Sequence, residues 1–352
     1  MGKACLSWTA ITRTVLAGML ALITLGGAAM AQMRENSAVI IMYHRFGEDQ
    51  YPSTNVRMEQ LDAHLADLTS DRFHVKPVSE IVDAIQAGRV LPDRTIGITI
   101  DDAFKSVFEN GWPKLKAAGV PVTLFVATGP VDEGQADYMT WDQIRAMHKA
   151  GVTIAAHGVH HAHMAGMSPE KAAYEISHSI LRIEEEIGEK PTLFAYPYGE
   201  AGEALMKQVA STGIKAAFGQ HSGAMTLADD QMYLPRFPIN ERYGEQERFH
   251  RVVMSLGLAA TDRLPSDPLL GNEEGDNPPA IGFTLPDAMK RKTELACYQS
   301  RTGKVENIQR LGPNRVELRF DDPFPAGRTR VNCTVPGPNG RWRWLGMQFF
   351  RP

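Results

Sequence analysis

Strand-like and helix-like segments alternate along the chain from Ser37 to Phe218, and this alternation constrains the fold more than any other feature. The clearest strand is Thr95–Ile100, in which every residue except Gly97 is β-branched. That composition is typical of a strand buried on both faces of a parallel sheet. Parallel strands joined by helices need right-handed crossovers, and the number of repeats favours a barrel or near-barrel over an open sheet. We therefore predict an α/β fold.

Length and charge restrict the classes of function. The chain has 352 residues, more than one typical domain, and its 43% hydrophobic content is enough for a substantial core. The formal net charge is −4, and no basic stripe runs along the sequence. We therefore expect no nucleic-acid partner, because such partners require clustered positive charge. The sequence does not indicate an oligomeric state.

Residues 1–31 have the pattern of a secretory signal peptide. Lys3 and Arg13 supply the positive start, residues 15–25 are an apolar run, and residues 29–31 form a small-x-small cleavage site. The apolar run is short for a membrane span. We expect a periplasmic or secreted bacterial protein with no stable membrane span after cleavage, and retention of the segment as an anchor is the alternative.

The composition changes after a helix predicted at 247–256. Residues 257–277 are rich in Asp, Glu, Gly and Pro and predict a linker between an α/β domain at 37–256 and the rest. Residues 278–352 contain short strand-like segments separated by turns, which predict a small antiparallel β module. Cys297 and Cys333 are the two cysteines beyond the signal pattern. In an oxidising compartment they favour a disulfide, with two free buried thiols as the alternative.

Unusual polar residues and a turn motif follow the predicted strands. They are His44, Asp101, Asp102, His157 and the turn Pro197-Tyr198-Gly199. In βα barrels the active site is built at the carboxyl ends of the strands. Two adjacent carboxylates at the end of a buried strand are costly to desolvate unless something compensates them. A helix N-cap would explain Asp102 alone, whereas the pair indicates a metal ligand beside a general base.

The segment from His157 to His163 holds four of the chain's 11 histidines. Because His157 and His161 are four positions apart, one helical or turn-like stretch can direct both imidazoles to one point. Two histidine nitrogens and one carboxylate with an open fourth position form a common catalytic zinc site. A surface histidine cluster is the alternative. We expect His160 and His163 to lie around such a site or to face solvent.

Three motifs carry a family resemblance: Thr99-Ile100-Asp101-Asp102, His157-x-x-x-His161 and Tyr196-Pro197-Tyr198-Gly199. In this order they resemble the successive motifs of NodB-homology polysaccharide deacetylases, carbohydrate esterase family 4. The resemblance covers residues 37–241 and implies that 37–256 is a catalytic domain with a distorted (β/α)7 TIM-like barrel. It also implies metal-dependent removal of N-acetyl groups from polysaccharides or oligosaccharides that contain N-acetylglucosamine.

The resemblance further implies the roles of individual residues. Asp101 falls on the position of the catalytic base, and Asp102, His157 and His161 fall on the positions of the metal ligands. Zinc is the cation expected first, with cobalt, nickel or iron as alternatives, since histidine and aspartate accept all of them. The backbone N–H of Tyr198, exposed by the turn from Pro197 to Gly199, is the candidate donor to the oxyanion. A plain turn is the alternative for that motif.

The sequence departs from the family pattern at two points. Ala195 stands where family members usually have an arginine that supports the catalytic aspartate, and Arg236 is the candidate substitute. The late histidine motif that often supplies the general acid is missing after Phe218, whereas His44 follows the first strand. This arrangement resembles the permuted branch that contains poly-N-acetylglucosamine deacetylases. We therefore predict that His44 is the general acid.

Two other functions remain open from the sequence. A carbon–nitrogen hydrolase could use the same scaffold on a small amide, although the secretory pattern argues against it. A non-catalytic secreted glycan-binding protein is the second alternative, but binding alone needs no base such as Asp101. Different acetylated polymers present the same acetamide, so the sequence does not name the substrate.

Overall fold

The computed structural model describes residues 36–271, 275–289 and 294–352. The predicted signal peptide at 1–31 and residues 272–274 of the predicted linker lie outside the described residues. Within the described ranges, the structure contains no helix that combines the length and the apolar character needed to cross a membrane.

Strands of the N-terminal part form one curled sheet and a small separate pair, except the last of them, which joins a C-terminal sheet. In chain order they are β1 (Ser37–Tyr43), β2 (Arg45–Phe46), β3 (Asn55–Val56), β4 (His74–Val75), β5 (Thr95–Ile100), β6 (Thr123–Val126), β7 (Thr153–Ala156), β8 (Leu193–Ala195), β9 (Ala216–Phe218), β10 (Ala224–Thr226), β11 (Phe237–Pro238) and β12 (Leu256–Gly257). The main path of the curled sheet is β10-β1-β5-β6-β7-β8-β9, and β4 and β11 pair with its members. All neighbours along this path are parallel except β10, which is antiparallel to β1.

Helices cover this sheet. They are α1 (Met58–Leu68), α2 (Val78–Gln86), α3 (Trp112–Ala117), α4 (Thr128–Asp132), α5 (Trp141–Lys149), α6 (Pro169–Ile187), α7 (Glu203–Ser211) and α8 (Gln246–Val253). Local sequence explains their ends. A capping box begins α5, because the Thr140 side chain accepts from the Gln143 N–H and the Gln143 side chain accepts from the Thr140 N–H. Gly188, with φ 81°, ends α6 in the left-handed conformation that glycine favours.

Two predicted helices differ from the structure. The sequence predicts a helix over 103–118, but a π-helical turn begins only at Val107 and α3 follows it. Asp102 and Ala103 have φ of 74° and 63°, which a right-handed helix does not allow. The helix predicted at 247–256 ends at Val253, and Leu256 instead belongs to β12.

The C-terminal part consists of two sheets around their own core. Its strands are β13 (Thr261–Leu264), β14 (Ile281–Thr284), β15 (Ala296–Gln299), β16 (Gly303–Lys304), β17 (Ile308–Leu311), β18 (Arg315–Leu318), β19 (Gly327–Pro336) and β20 (Trp342–Arg351). One sheet has the order β13-β14-β18-β17, and the other has the order β12-β20-β19-β15-β16. Strand β13 lies within the segment 257–277 that the sequence predicts as a linker. Its residues are largely exposed and show no apolar alternation.

The disulfide links two of these strands. Cys297 on β15 lies directly opposite Cys333 on β19, and their sulfur atoms are bonded. Alternate residues of β19 are buried, and Cys333 lies with Val331 and Val335 on the side that faces the module's core. The structure therefore contains the predicted disulfide, and the predicted α/β barrel with a C-terminal antiparallel β module is confirmed.

Candidate metal centre and active site

The sharp turn after β5 brings both acidic side chains to the end of the sheet. The Asp101 N–H donates to the Tyr43 carbonyl and so extends the pairing of β5 with β1 by one step. The backbone then adopts positive φ at Asp102 and Ala103. Because regular strand alternation ends here, the two adjacent carboxylates do not have to point to opposite faces of the sheet.

Asp102, His157 and His161 converge on one point. The potential ligand atoms of these three residues all lie within 4.8 Å of one another. Oδ1 of Asp102 is 3.2 Å from His157 Nε2 and 3.1 Å from His161 Nε2. Despite this proximity, the buried Asp102 Oδ1 and His157 Nε2 have no hydrogen-bond partner in the described structure. Buried polar atoms are rarely left in this way, so the arrangement fits a divalent cation held by two nitrogens and one oxygen.

The orientation of His157 supports the same interpretation. Its Nδ1 lies 2.7 Å from the Ala195 carbonyl oxygen. A carbonyl can only accept, so Nδ1 carries the proton and the lone pair of Nε2 is free to face Asp102. Metal-binding histidines commonly have such a carbonyl behind them.

Electrostatics favour a charged Asp102. Burial alone would raise the pKa of this carboxyl group, but the adjacent His157 and His161 hold the pKa well below its ordinary value. Asp102 is therefore a carboxylate, which is the form that binds a cation.

The predicted partnership of Asp101 and Arg236 is present as a buried ion pair. Arg236 Nη1 donates to Asp101 Oδ1 at 2.6 Å, and Nη2 donates to Oδ2 at 2.8 Å. Both side chains are 0% exposed. Arg236 also donates to the Thr99 hydroxyl and the Gly219 carbonyl, which direct its guanidinium towards Asp101. Burial raises the pKa of Asp101, but Arg236 and His157 outweigh burial and the pKa is lowered, so this carboxyl is ionised as well.

His44 follows β1 at the same end of the sheet and is half-buried. The sequence suggests that a nearby carboxylate could raise its pKa. In the structure burial has the larger effect and lowers the pKa, while Asp102 and Asp101 act in the opposite direction. His44 therefore lies within the electrostatic influence of both carboxylates.

The turn Pro197–Gly199 forms one wall next to the histidines. The Tyr198 ring centroid is 4.5 Å from that of His161 and 4.1 Å from that of His163, onto which it stacks. Tyr198 has φ 58°, and Gly199 has φ 68°. A Cβ at Gly199 would lie 2.4 Å from the Gln220 backbone nitrogen, so only glycine fits this close approach.

Left-handed backbone is concentrated in this region. Of the seven non-glycine residues with positive φ in the described part of the chain, four lie at the candidate site. They are Asp102, Ala103, His161 and Tyr198. Such conformations persist only where surrounding contacts impose them, and they are frequent at functional sites.

Comparison with known proteins identifies the domain. A family model described as polysaccharide deacetylase matches residues 88–217. That range includes both aspartates, both converging histidines and the Pro197–Gly199 turn. The chain contains a polysaccharide deacetylase domain. The family and the enzyme class predicted from the motifs are confirmed.

Relatives of the deacetylase domain agree with this assignment. Over 234 residues the chain is 23% identical to a poly-beta-1,6-N-acetyl-D-glucosamine N-deacetylase of Staphylococcus aureus strain MSSA476, covering 59% of this chain and 80% of the relative. The fold is similar to that of the deacetylase PplD of Streptococcus pyogenes, with TM-score 0.58, 20% identity, and coverage of 62% of this chain and 98% of that one. IcaB from Ammonifex degensii gives TM-score 0.53, 20% identity, and coverage of 62% and 98% respectively.

Two glutamates that the sequence analysis did not single out support the loops of the deacetylase domain. Glu175 on α6 accepts from the backbone N–H groups of Val159 and His160, and it also contacts the His160 ring. Glu200 is 1% exposed at its side chain and lies 2.7 Å from His163. In the sequence, Glu200 could have been noticed because it directly follows Gly199 of the turn motif. Glu175 lies within a helix, and no motif in the sequence marks it. The side chains of His160 and His163 are more than half exposed, and each is held by one of these two glutamates.

Proposed function

We propose that this protein removes N-acetyl groups from a polymer of N-acetylglucosamine outside the cytoplasm, with Asp102, His157 and His161 holding a zinc ion. The convergence of these three side chains beside the ionised Asp101 carries the proposal. The name of the Staphylococcus aureus relative makes poly-β-1,6-N-acetylglucosamine the first polymer to test. The signal-like pattern at 1–31 supports a periplasmic or secreted location.

Asp101 is proposed as the base that takes a proton from the attacking water. A divalent cation, when bound, lowers the pKa of its water and polarises the acetamide carbonyl. Asp101 is suited to the proton transfer because it is ionised, and the bidentate Arg236 contact fixes the plane of its carboxylate. The Tyr198 backbone N–H is the proposed donor to the oxygen of the acetamide carbonyl as negative charge develops there.

His44 is proposed as the acid that protonates the departing amine. An amine does not leave as its anion, and Asp101 lies on the water side of the reacting carbon in this scheme. A second group on the opposite side is therefore needed. His44 directly follows β1 at the same end of the sheet as Asp102. Histidine is the side chain whose ordinary pKa lies nearest neutrality, and Asp102 and Asp101 oppose the lowering of the His44 pKa by burial.

His44→Ala is expected to lower the rate of amide hydrolysis by about 10²- to 10⁴-fold, the range typical of general acid catalysis. The loss should be much smaller with an activated acetate ester, because its leaving group needs no proton. The bell-shaped pH–rate profile should also lose its alkaline limb. Both rates and the metal content, which should not change, are measured on the same preparation.

The control variant is His178→Ala, which changes an exposed histidine on α6. It should leave both rates unaltered. Equal losses on amide and ester in His44→Ala would make His44 a positioning residue and not the acid.

Acetate release tests the proposed function itself. The full-length protein is incubated with poly-β-1,6-N-acetylglucosamine, chitin oligomers, peptidoglycan fragments and a small amide such as acetamide. We expect release from the first polymer at the highest rate. Release from acetamide alone would favour the small-amide hydrolase. Glycan binding without any release would favour the non-catalytic alternative.

A further inference from the structure

The C-terminal module reaches into the deacetylase site through Gln348 on β20. The side-chain amide Nε2 of Gln348 donates to the Tyr198 carbonyl at 3.1 Å and to the Gly199 carbonyl at 2.7 Å. Gln348 is only 2% exposed. The module thus contacts the peptide units that directly follow the proposed oxyanion donor.

The direction of the Gln348 amide is determined by its second partner. Arg330 Nε on β19 donates to Gln348 Oε1 at 2.9 Å. Since a guanidinium can only donate, Oε1 must face Arg330 and Nε2 must face the two carbonyls. Gln348 therefore links β19 to the Tyr198–Gly199 turn in one orientation.

Arg328 on β19 forms a second contact with the same turn. Its Nη1 donates to the Tyr198 carbonyl at 3.3 Å, and its guanidinium carbon lies 5.3 Å from the centroid of the Tyr198 ring. Arg328 Nε is also 3.5 Å from Glu200, which in turn contacts His163. The His163 ring also stacks on the Tyr198 ring. Neighbouring side chains therefore contact both the backbone and the ring of Tyr198.

Strand β20 is itself packed closely against the barrel. A Cβ at Gly346 would lie 2.0 Å from the Ser222 carbonyl oxygen, so the two backbones are in direct contact. The Trp344 ring packs edge-on against Phe237 at 5.1 Å. These contacts hold β20 against the barrel and so fix the distance between Gln348 and the Tyr198–Gly199 turn.

We propose that Gln348 and Arg328 are positioning residues that hold the Tyr198–Gly199 turn in its catalytic conformation. The inference rests on the proposed function, in which the Tyr198 N–H meets the developing negative charge. The left-handed backbone conformation is unfavourable for tyrosine, so the turn relaxes unless its neighbours hold it. A displacement of about 1 Å at a reacting group can cost about 10²-fold in rate. In this proposal the C-terminal module supports the active site through Arg328 on β19 and Gln348 on β20.

Gln348→Glu is the discriminating variant. Glutamate keeps the shape of the side chain and its contact with Arg330, but it replaces the N–H donor with an oxygen that repels both carbonyls. We expect kcat to fall by about 10- to 100-fold, as for other residues that orient a catalytic group. KM and metal content should stay within about twofold of the wild type, because Gln348 is buried and touches none of the three converging ligand residues. Hydrogen exchange of the amides in 196–200 should become faster.

Gln309→Glu is the matched control. Gln309 is exposed on β17 of the same module, and it should change neither kcat nor exchange in 196–200. Gln348→Met removes the donor without adding charge and should show the same effects at smaller size. If thermal denaturation shows that Gln348→Glu is unfolded, Gln348→Met is compared with the wild type in its place.

Two results distinguish a failure of this inference from a failure of the proposed function. Wild-type kcat and wild-type exchange in both Gln348 variants would overturn the inference. An inactive wild type would instead overturn the proposed function, and the exchange measurement would still decide whether Gln348 holds the turn.

Discussion

Asp101→Asn is expected to lower kcat by about 10³-fold or more while the protein keeps its metal. Asparagine cannot take the proton from water, and general base catalysis contributes about 10²- to 10⁴-fold. Asp101 is not one of the three converging ligand residues, so metal affinity should change little. The measurements are steady-state acetate release and metal content by elemental analysis.

This variant also leaves Arg236 without its counter-charge. Arg236 is fully buried, and removal of one partner from a buried ion pair costs about 3–5 kcal/mol. The double variant Asp101→Asn with Arg236→Gln should therefore recover thermal stability but not activity. If Asp101→Asn loses the metal and Asp102→Asn retains it, the proposed roles of the two aspartates are reversed.

Removal of the metal is expected to abolish acetate release, and zinc or cobalt should restore it. Asp102 Oδ1 and His157 Nε2 are buried without hydrogen-bond partners, so the site is built for a cation rather than for a side-chain network. Zinc should also raise the free energy of unfolding, by about 2.7 kcal/mol when free zinc is 100-fold above its Kd. Dialysis against a chelator followed by titration with each metal measures both effects.

Asp102→Asn should lose both the zinc-dependent rise in Tm and the acetate release. Its control is Asp142→Asn on α5, where the side chain is 90% exposed and pairs with Arg145. That variant should respond to zinc as the wild type does. Full activity in a sample shown by elemental analysis to be free of metal would contradict the proposed zinc site.

Much of the deacetylase domain could be predicted because its signals are local. The bounds of β5 in the structure are those of the β-branched run Thr95–Ile100 in the sequence. The helical spacing of apolar residues likewise predicts α5 at Trp141–Lys149 and α6 at Pro169–Ile187, where the structure has them. Each of these elements buries a continuous set of apolar side chains, and a capping residue or a glycine marks several of the helix ends. The three motifs are likewise short, so their residues could be named without knowledge of the contacts.

The remaining features depend on residues far apart in the chain. The Gln348 contact with Gly199 joins positions 149 residues apart, and the Arg236 contact with Asp101 joins positions 135 apart. Arg236 could be nominated only because Ala195 left a role unfilled, whereas nothing in the pattern around Gln348 marks it. Strand β13 was missed because its pairing with β14, and not its own composition, makes it a strand.

The left-handed residues around the histidines have a consequence for directed evolution of this protein. Glycine would relieve backbone strain at the buried Ala103, and glycine or asparagine would do so at Tyr198, so a screen for heat resistance should enrich such replacements there. The same replacements at Tyr198 would remove the ring that packs on His161 and His163. Selection for thermostability and selection for turnover should therefore diverge at this position.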